Sequence, residues 1–252
     1  MVRPAIITPC DPGSHNEDLA ASAERVQKAK HYQNLSTAIL IPTRGAIPAL
    51  VVQSWFYLYT ASNNAVARYF SQGMEVSDAY NSGITTVIRD PNIKDFKYLL
   101  TMEDDNLPPH DGLLKLYENI CGCPEPCREH FTVVGGLYWT KGEDGQPMIF
   151  GNPEEEEGFS MRPQPPQLDS IQECNGVPMG FTLFHMGLFK DPALGSVDDP
   201  WFATVQVLED NAFKAFTQDL YFMKRIREAG YRIACDTRVK VGHLDNETGM
   251  VW

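Results

Sequence analysis

The chain has 252 residues, with 21 Lys and Arg against 33 Asp and Glu for a formal net charge of −12 at pH 7. That length supports one sizeable core, a hydrophobic content of 43% belongs to an ordinary globular protein, and the acidic balance argues against general binding of a phosphate backbone. Its apolar runs fall far short of the roughly 18 residues a spanning helix needs. Residues 1–10 lack the long apolar stretch of a secretion signal, so the expectation is a cytoplasmic protein whose six cysteines are reduced.

In chain order, Ala20, Ala23, Val26 and Ala29 recur at three-residue spacing and predict a helix over 18–32. Residues 36–41 form a short β-branched strand that Pro42 halts, ending in Thr43, Arg44 and Gly45. A helical pattern over 47–61 follows, opened by Pro48 near its first turn. Strand, polar turn and helix make the first half of a β-α-β unit, whose turns commonly face ligands at the carboxyl ends of strands. The turn carries neither a Gly-rich dinucleotide fingerprint nor a Walker loop. A strand at 73–76 and a helix at 77–88 come next.

The stretch 98–109 is the most informative. Five strand-like residues deliver Glu103, Asp104 and Asp105 to one edge of a sheet, and Pro108 and Pro109 stop the strand there. Adjacent carboxylates repel, so the turn is either solvated punctuation or the seat of a hard divalent cation that shares its shell with phosphates.

Beyond it, Leu113, Leu114, Leu116 and Tyr117 mark a helix over 110–120, and 131–139 reads as a strand with a Gly135-Gly136 pair. Glycines, prolines and glutamates 154–157 make 140–172 a loop-rich insertion. Order resumes at 174–184, and a helix spans 217–229 with Thr217 as N-cap and Gly230 as its stop. Strands at 231–235 and 239–244 close the chain. The alternation predicts one α/β domain over 1–252 with a mostly parallel central sheet flanked by helices. Cys121, Cys123 and Cys127, with His130 just behind, offer three thiols and an imidazole for a structural zinc, although the C-x-C spacing is tighter than a usual knuckle. A plain cysteine-bearing loop is the alternative.

Ile41-Pro42-Thr43-Arg44, Glu103-Asp104-Asp105 followed by Pro108-Pro109, Gly135-Gly136-Leu137, Gly176 to Phe181, Thr217-Gln218-Asp219, and Ala229-Gly230-Tyr231 with Val241-Gly242-His243, in that order, resemble the nucleotide-sugar-dependent glycosyltransferases of the GT-A fold, particularly the family 2-like bacterial and viral enzymes. The resemblance covers roughly residues 37–245. It implies a GT-A sheet, a sugar transferred from a UDP- or GDP-type donor to an acceptor hydroxyl, and a Mn2+ or Mg2+ ion bound by an acidic motif. In that motif Glu103 replaces the usual first Asp, which leaves Asp105 as the implied ligand and His243 as a second one. Pro42, Thr43, Arg44, Glu103, Asp104 and Asp105 are then the implied donor site. Asp219 is the implied base, with Gln218 in place of the usual preceding acid. Trp139, Gly180 and Phe181 are the implied acceptor contacts; Trp201 could stack on a sugar or base, or simply be buried. The acceptor itself, a glycan, a small molecule or a modified nucleobase, is not implied. A non-catalytic binding protein on the same fold is the alternative. A nucleotidyltransferase fits less well, because the turn after the first strand lacks a Gly-rich, Lys-bearing loop.

Overall fold

A computed structural model describes residues 34–61, 64–154, 161–209 and 212–252; the helix expected over 18–32 lies outside them. β1 (Thr37–Thr43) is aliphatic on both faces and forms a buried strand, with Ala38 and Leu40 turned to one side and Ile39 and Ile41 to the other. After α1 (Ala49–Tyr57) and β2 (Val66–Gln72) comes α2 (Val76–Arg89). The carboxylate of Glu75 accepts a 2.8 Å hydrogen bond from the Ser77 amide and so caps α2. Ala79, Tyr80, Ile84 and Val87 form its buried face.

β3 (Tyr98–Met102), β4 (Asn106–Leu107), α3 (Gly112–Asn119) and β5 (Phe131–Leu137) follow. The later elements are β6 (Ile171–Cys174), β7 (Phe181–His185), β8 (Val205–Glu209), β9 (Ala212–Phe216), α4 (Gln218–Glu228), β10 (Arg232–Lys240) and β11 (Gly242–His243).

Seven strands form one sheet in the order β2-β1-β3-β7-β5-β10-β6. β1 runs parallel to β2 and β3, and β5 parallel to β10. β7 lies antiparallel between β3 and β5, and β6 is an antiparallel edge strand. Five strands therefore point one way, and their carboxyl ends share one edge. α2 and α4 pack on one face with Tyr80, Ile84, Phe222 and Met223. α3 packs on the other with Leu113, Leu116 and Tyr117. Among the described residues no helix is long and apolar enough to cross a membrane.

Two expected strands differ. Residues 73–75 are a turn, and the strand lies earlier, at β2. β2 is a sheet edge with Arg68, Phe70 and Gln72 exposed, so its pattern lacks the apolar run of an inner strand. The strands expected at 231–235 and 239–244 are instead the continuous β10 followed by the short β11. Asp236 and Thr237 looked like a break but are fully buried. Asp236 is paired there with the Arg238 guanidinium at 2.6 Å and with Asn119 Nδ2 at 2.9 Å, which is what lets a carboxylate sit inside a sheet.

Candidate functional site

The carboxyl edge of the sheet gathers the acidic turn, the end of β1, the start of α4 and β11. The turn begins where β3 stops. The Glu103 amide donates to the Gly180 carbonyl at 3.1 Å, and the Asn106 amide donates back to the Glu103 carbonyl at 3.2 Å. β4 then pairs with β11, setting His243 opposite Asn106, and the Leu244 amide donates to the Asp105 carbonyl at 2.8 Å. A two-residue ladder thus carries a histidine 138 positions downstream onto the acidic turn.

The three acids have different tasks. Glu103 is partly buried and accepts the Tyr80 hydroxyl at 2.7 Å. Burial pushes its carboxyl up to about 7 against the lowering effect of that bond, with Asp105 and Asp219 adding repulsion. Asp104 turns toward β1, where its Oδ2 accepts the Arg44 amide at 3.4 Å. Asp105 faces two bases through one oxygen: its Oδ2 lies 2.6 Å from Lys141 Nζ and 3.4 Å from His243 Nε2. Burial works against ionisation of Asp105, but the His243 ring in its doubly protonated form and the Lys141 ammonium hold its carboxyl below the ordinary value.

The imidazole of His243 is oriented from behind. Its Nδ1 lies 2.8 Å from the Trp139 carbonyl, which can only accept, so Nδ1 carries the proton. In the neutral ring Nε2 then presents a lone pair to the Asp105 carboxylate. Two facing donor atoms of this kind, one oxygen and one nitrogen, are what a shared Mn2+ or Mg2+ ion would satisfy, so the residues present fit a divalent cation. Lys141, from the short hairpin joined by the Trp139–Pro147 bridge, competes for the same oxygen. Lys141→Ala is accordingly expected to tighten Mn2+ binding to the donor-free chain about 2–5-fold, the scale of a partly exposed ion pair. Calorimetric titration with Mn2+ checks this, and weaker binding would show that Lys141 supports the site instead.

α4 is launched from β9 so that Asp219 stands in its first turn. Thr217 does not cap the helix backbone; its hydroxyl donates to Asp219 Oδ1, which also accepts the Leu220 amide at 2.8 Å. Burial raises the Asp219 carboxyl, and the Thr217 bond only partly offsets it. Burial raises the Tyr138 hydroxyl well above its ordinary value, and the charges of Glu103, Asp219 and Asp105 add to that rise.

At the end of β1, Pro42 is buried, Thr43 half-buried and Arg44 exposed. Gly45 takes φ +110, and its amide donates to Thr43 Oγ1 at 3.0 Å. A side chain there would be strained and would meet Gln72. Arg44 is therefore presented to solvent beside Asp104.

The acceptor contacts expected from the sequence divide. Trp139 is half-buried and contributes its carbonyl to His243. Gly180 is buried beneath the acidic turn, and Phe181 is fully buried in the core beside Met102 and Leu113. Phe181 opens β7 on an inward-facing register position and packs in the core. Trp201 is also buried, edge-on to Phe189. The sequence reading missed Lys141, Tyr80, Tyr138 and Asn106. Asn106 is fully buried, and neither atom of its amide finds a partner among the described residues.

Neither the profile of a known family nor a curated protein matches the chain. Solved structures do. The structure titled "Crystal Structure of A197 from STIV" superposes with a TM-score of 0.54 at 15% identity, covering 86% of this chain and 92% of the other. GalNAc-T7, solved with UDP, GalNAc and Mn2+, superposes with a TM-score of 0.53 at 11% identity, covering 96% of this chain and 54% of the other. The fold is of the GT-A type. In a GT-A sheet the edge described above is where strands of one direction end, and open α/β sheets place their ligands at that edge.

Proposed function

We propose that this protein is a metal-dependent glycosyltransferase that moves a sugar from a nucleoside-diphosphate sugar to an acceptor hydroxyl. The observation that carries the reading is the meeting of Asp105 Oδ2 and His243 Nε2 at 3.4 Å on the GT-A sheet edge. Asp105 and His243 would hold Mn2+ or Mg2+. When bound, that cation neutralises the diphosphate charge of the departing nucleotide.

The chain's own residues supply the rest. Arg44 presents a planar donor fork to the diphosphate from the turn after β1. Asp104 fixes that turn through the Arg44 amide. Glu103, bonded inward to Tyr80, shapes the acidic turn and is a poorer direct ligand than Asp105. Asp219 accepts the proton of the acceptor hydroxyl, and its raised carboxyl suits a general base working nearer to neutrality. The UDP in the GalNAc-T7 structure makes UDP the first nucleotide to try.

Saturating UDP with Mn2+ is expected to raise the melting temperature by mass action, about 2.7 kcal/mol of stabilisation at 100 times Kd, and Asp105→Ala to abolish the rise. If neither UDP nor GDP shifts the transition with Mn2+ or Mg2+, the reading is wrong. Release of the nucleoside diphosphate from a nucleotide sugar separates an enzyme from a binding protein of the same fold.

A further inference from the structure

We propose that Cys121, Cys123 and Cys127 hold a zinc ion that fastens the α3–β5 connection to the sheet at the edge opposite the acidic turn. The three Sγ atoms lie within 4.8 Å of one another. Cys121 and Cys127 are 3.3 Å apart and Cys127 and Cys123 3.7 Å apart, and all three are free thiols. Zinc at about 2.3 Å from each sulfur in a tetrahedron separates the sulfurs by about 3.8 Å. The two close separations lie within about half an ångström of that value, and the third is no longer than 4.8 Å.

All three donor atoms of the set are sulfur, so a thiophilic cation is preferred over the hard ion suited to Asp105 and His243.

The segment is also held from outside. The Cys121 amide donates to the Phe131 carbonyl at 2.6 Å, Lys97 Nζ to the Gly122 carbonyl at 2.5 Å, and the Tyr98 hydroxyl to the Cys121 carbonyl at 3.2 Å. His185 is occupied on both nitrogens. Its Nδ1 accepts the Gly187 amide at 3.1 Å, so Nε2 carries the proton and donates to the Cys123 carbonyl at 3.1 Å. It is not a ligand in this arrangement. His130, counted among the ligands from the sequence, is exposed and its ring lies outside the three-sulfur set. Cys121 is buried while Cys123 and Cys127 are partly open, so the fourth position faces solvent and takes a water.

The position shows what the ion does. Lys97 immediately precedes β3 and Tyr98 begins it, while Glu103 follows its end, so the cluster and the acidic turn are separated by the length of the strand, about 17 Å. Zinc there is structural. It ties α3 and β5 to the amino end of β3 and the carboxyl end of β7, and takes no part in glycosyl transfer.

Elemental analysis of the purified chain tests the proposal. One zinc per chain is expected in the unmodified protein, in Asp105→Ala, in Cys174→Ser and in His130→Ala, and its loss in Cys123→Ser and Cys127→Ser. Titrating the reduced, metal-stripped chain with Co2+ should give a sulfur-to-cobalt charge-transfer band that Zn2+ displaces, which needs no variant to fold. Absence of zinc together with absence of that band overturns the proposal. So does a mass two hydrogens lighter from a Cys121–Cys127 disulfide, and zinc lost in His130→Ala overturns the water-completed site.

Discussion

Asp219→Asn is expected to lower kcat by about 10²–10⁴-fold, the usual contribution of a positioned base, while the melting temperature at neutral pH stays level or rises. The two effects have one origin. Asp219 is buried at the start of α4, and burial raises its carboxyl above the ordinary 3.8. The folded chain therefore keeps this proton to a higher pH than the unfolded chain does. Stability is fully present below the ordinary carboxylate value and declines as pH climbs through the interval up to the raised one. Above that interval the ionised group is a standing cost that asparagine removes. Asparagine retains an Oδ1 to accept the Thr217 hydroxyl and the Leu220 amide, so the local structure persists. The companion measurement is the pH profile of kcat: its acid limb should lie above 3.8. An unimpaired Asp219→Asn variant would remove Asp219 from the reaction.

Gly180→Ala should be nearly as damaging, through geometry instead of chemistry. A Cβ at this position would stand 2.3 Å from Asn106 Oδ1 and 2.5 Å from Tyr138 Oη. Both neighbours are buried, and Tyr138 Oη accepts the Gly180 amide at 2.9 Å, so neither can swing away. Overpacking of this kind destabilises by about 1–3 kcal/mol. The Gly180 carbonyl also anchors the Glu103 amide, so relief of the clash moves the acidic turn itself. A misplacement near 1 Å lowers turnover about 100-fold. Thermal unfolding and nucleotide-sugar turnover measured on one preparation check both parts. A variant with full turnover would show that Gly180 does not support the turn.

How much of this could be read from the chain depends on where each residue's partners lie. β1, β3 and α4 announced themselves because an aliphatic run, an abrupt acidic stop and a Thr217–Gly230 frame are local signals. The edge strand β2 was misplaced because its exposed Arg68 and Phe70 answer to neighbours on one side only. Asp236 hid the continuity of β10, since its bond from Asn119, 117 positions away in the chain, is tertiary. Asp105 and His243 were legible as an acid in a turn and a histidine after a strand, and their 3.4 Å approach follows from the β4–β11 ladder. Tyr80 lies inside an amphipathic helix and Lys141 in a glycine-rich loop; nothing in their sequence neighbourhoods marks contact with Glu103 and Asp105.

The antiparallel β7 in mid-sheet has a kinetic consequence. Thr101 of β3 bonds to Thr182 of β7 across 81 residues of chain, and Gly180 at the head of β7 seats the acidic turn. A nascent chain that has emerged only as far as β5 has β1, β2 and β3 in hand but a raw edge where β7 belongs. Closing so distant a contact is slow, so the carboxylates of the turn acquire their fixed arrangement late in synthesis, and a fragment truncated before β7 would carry the motif without the geometry.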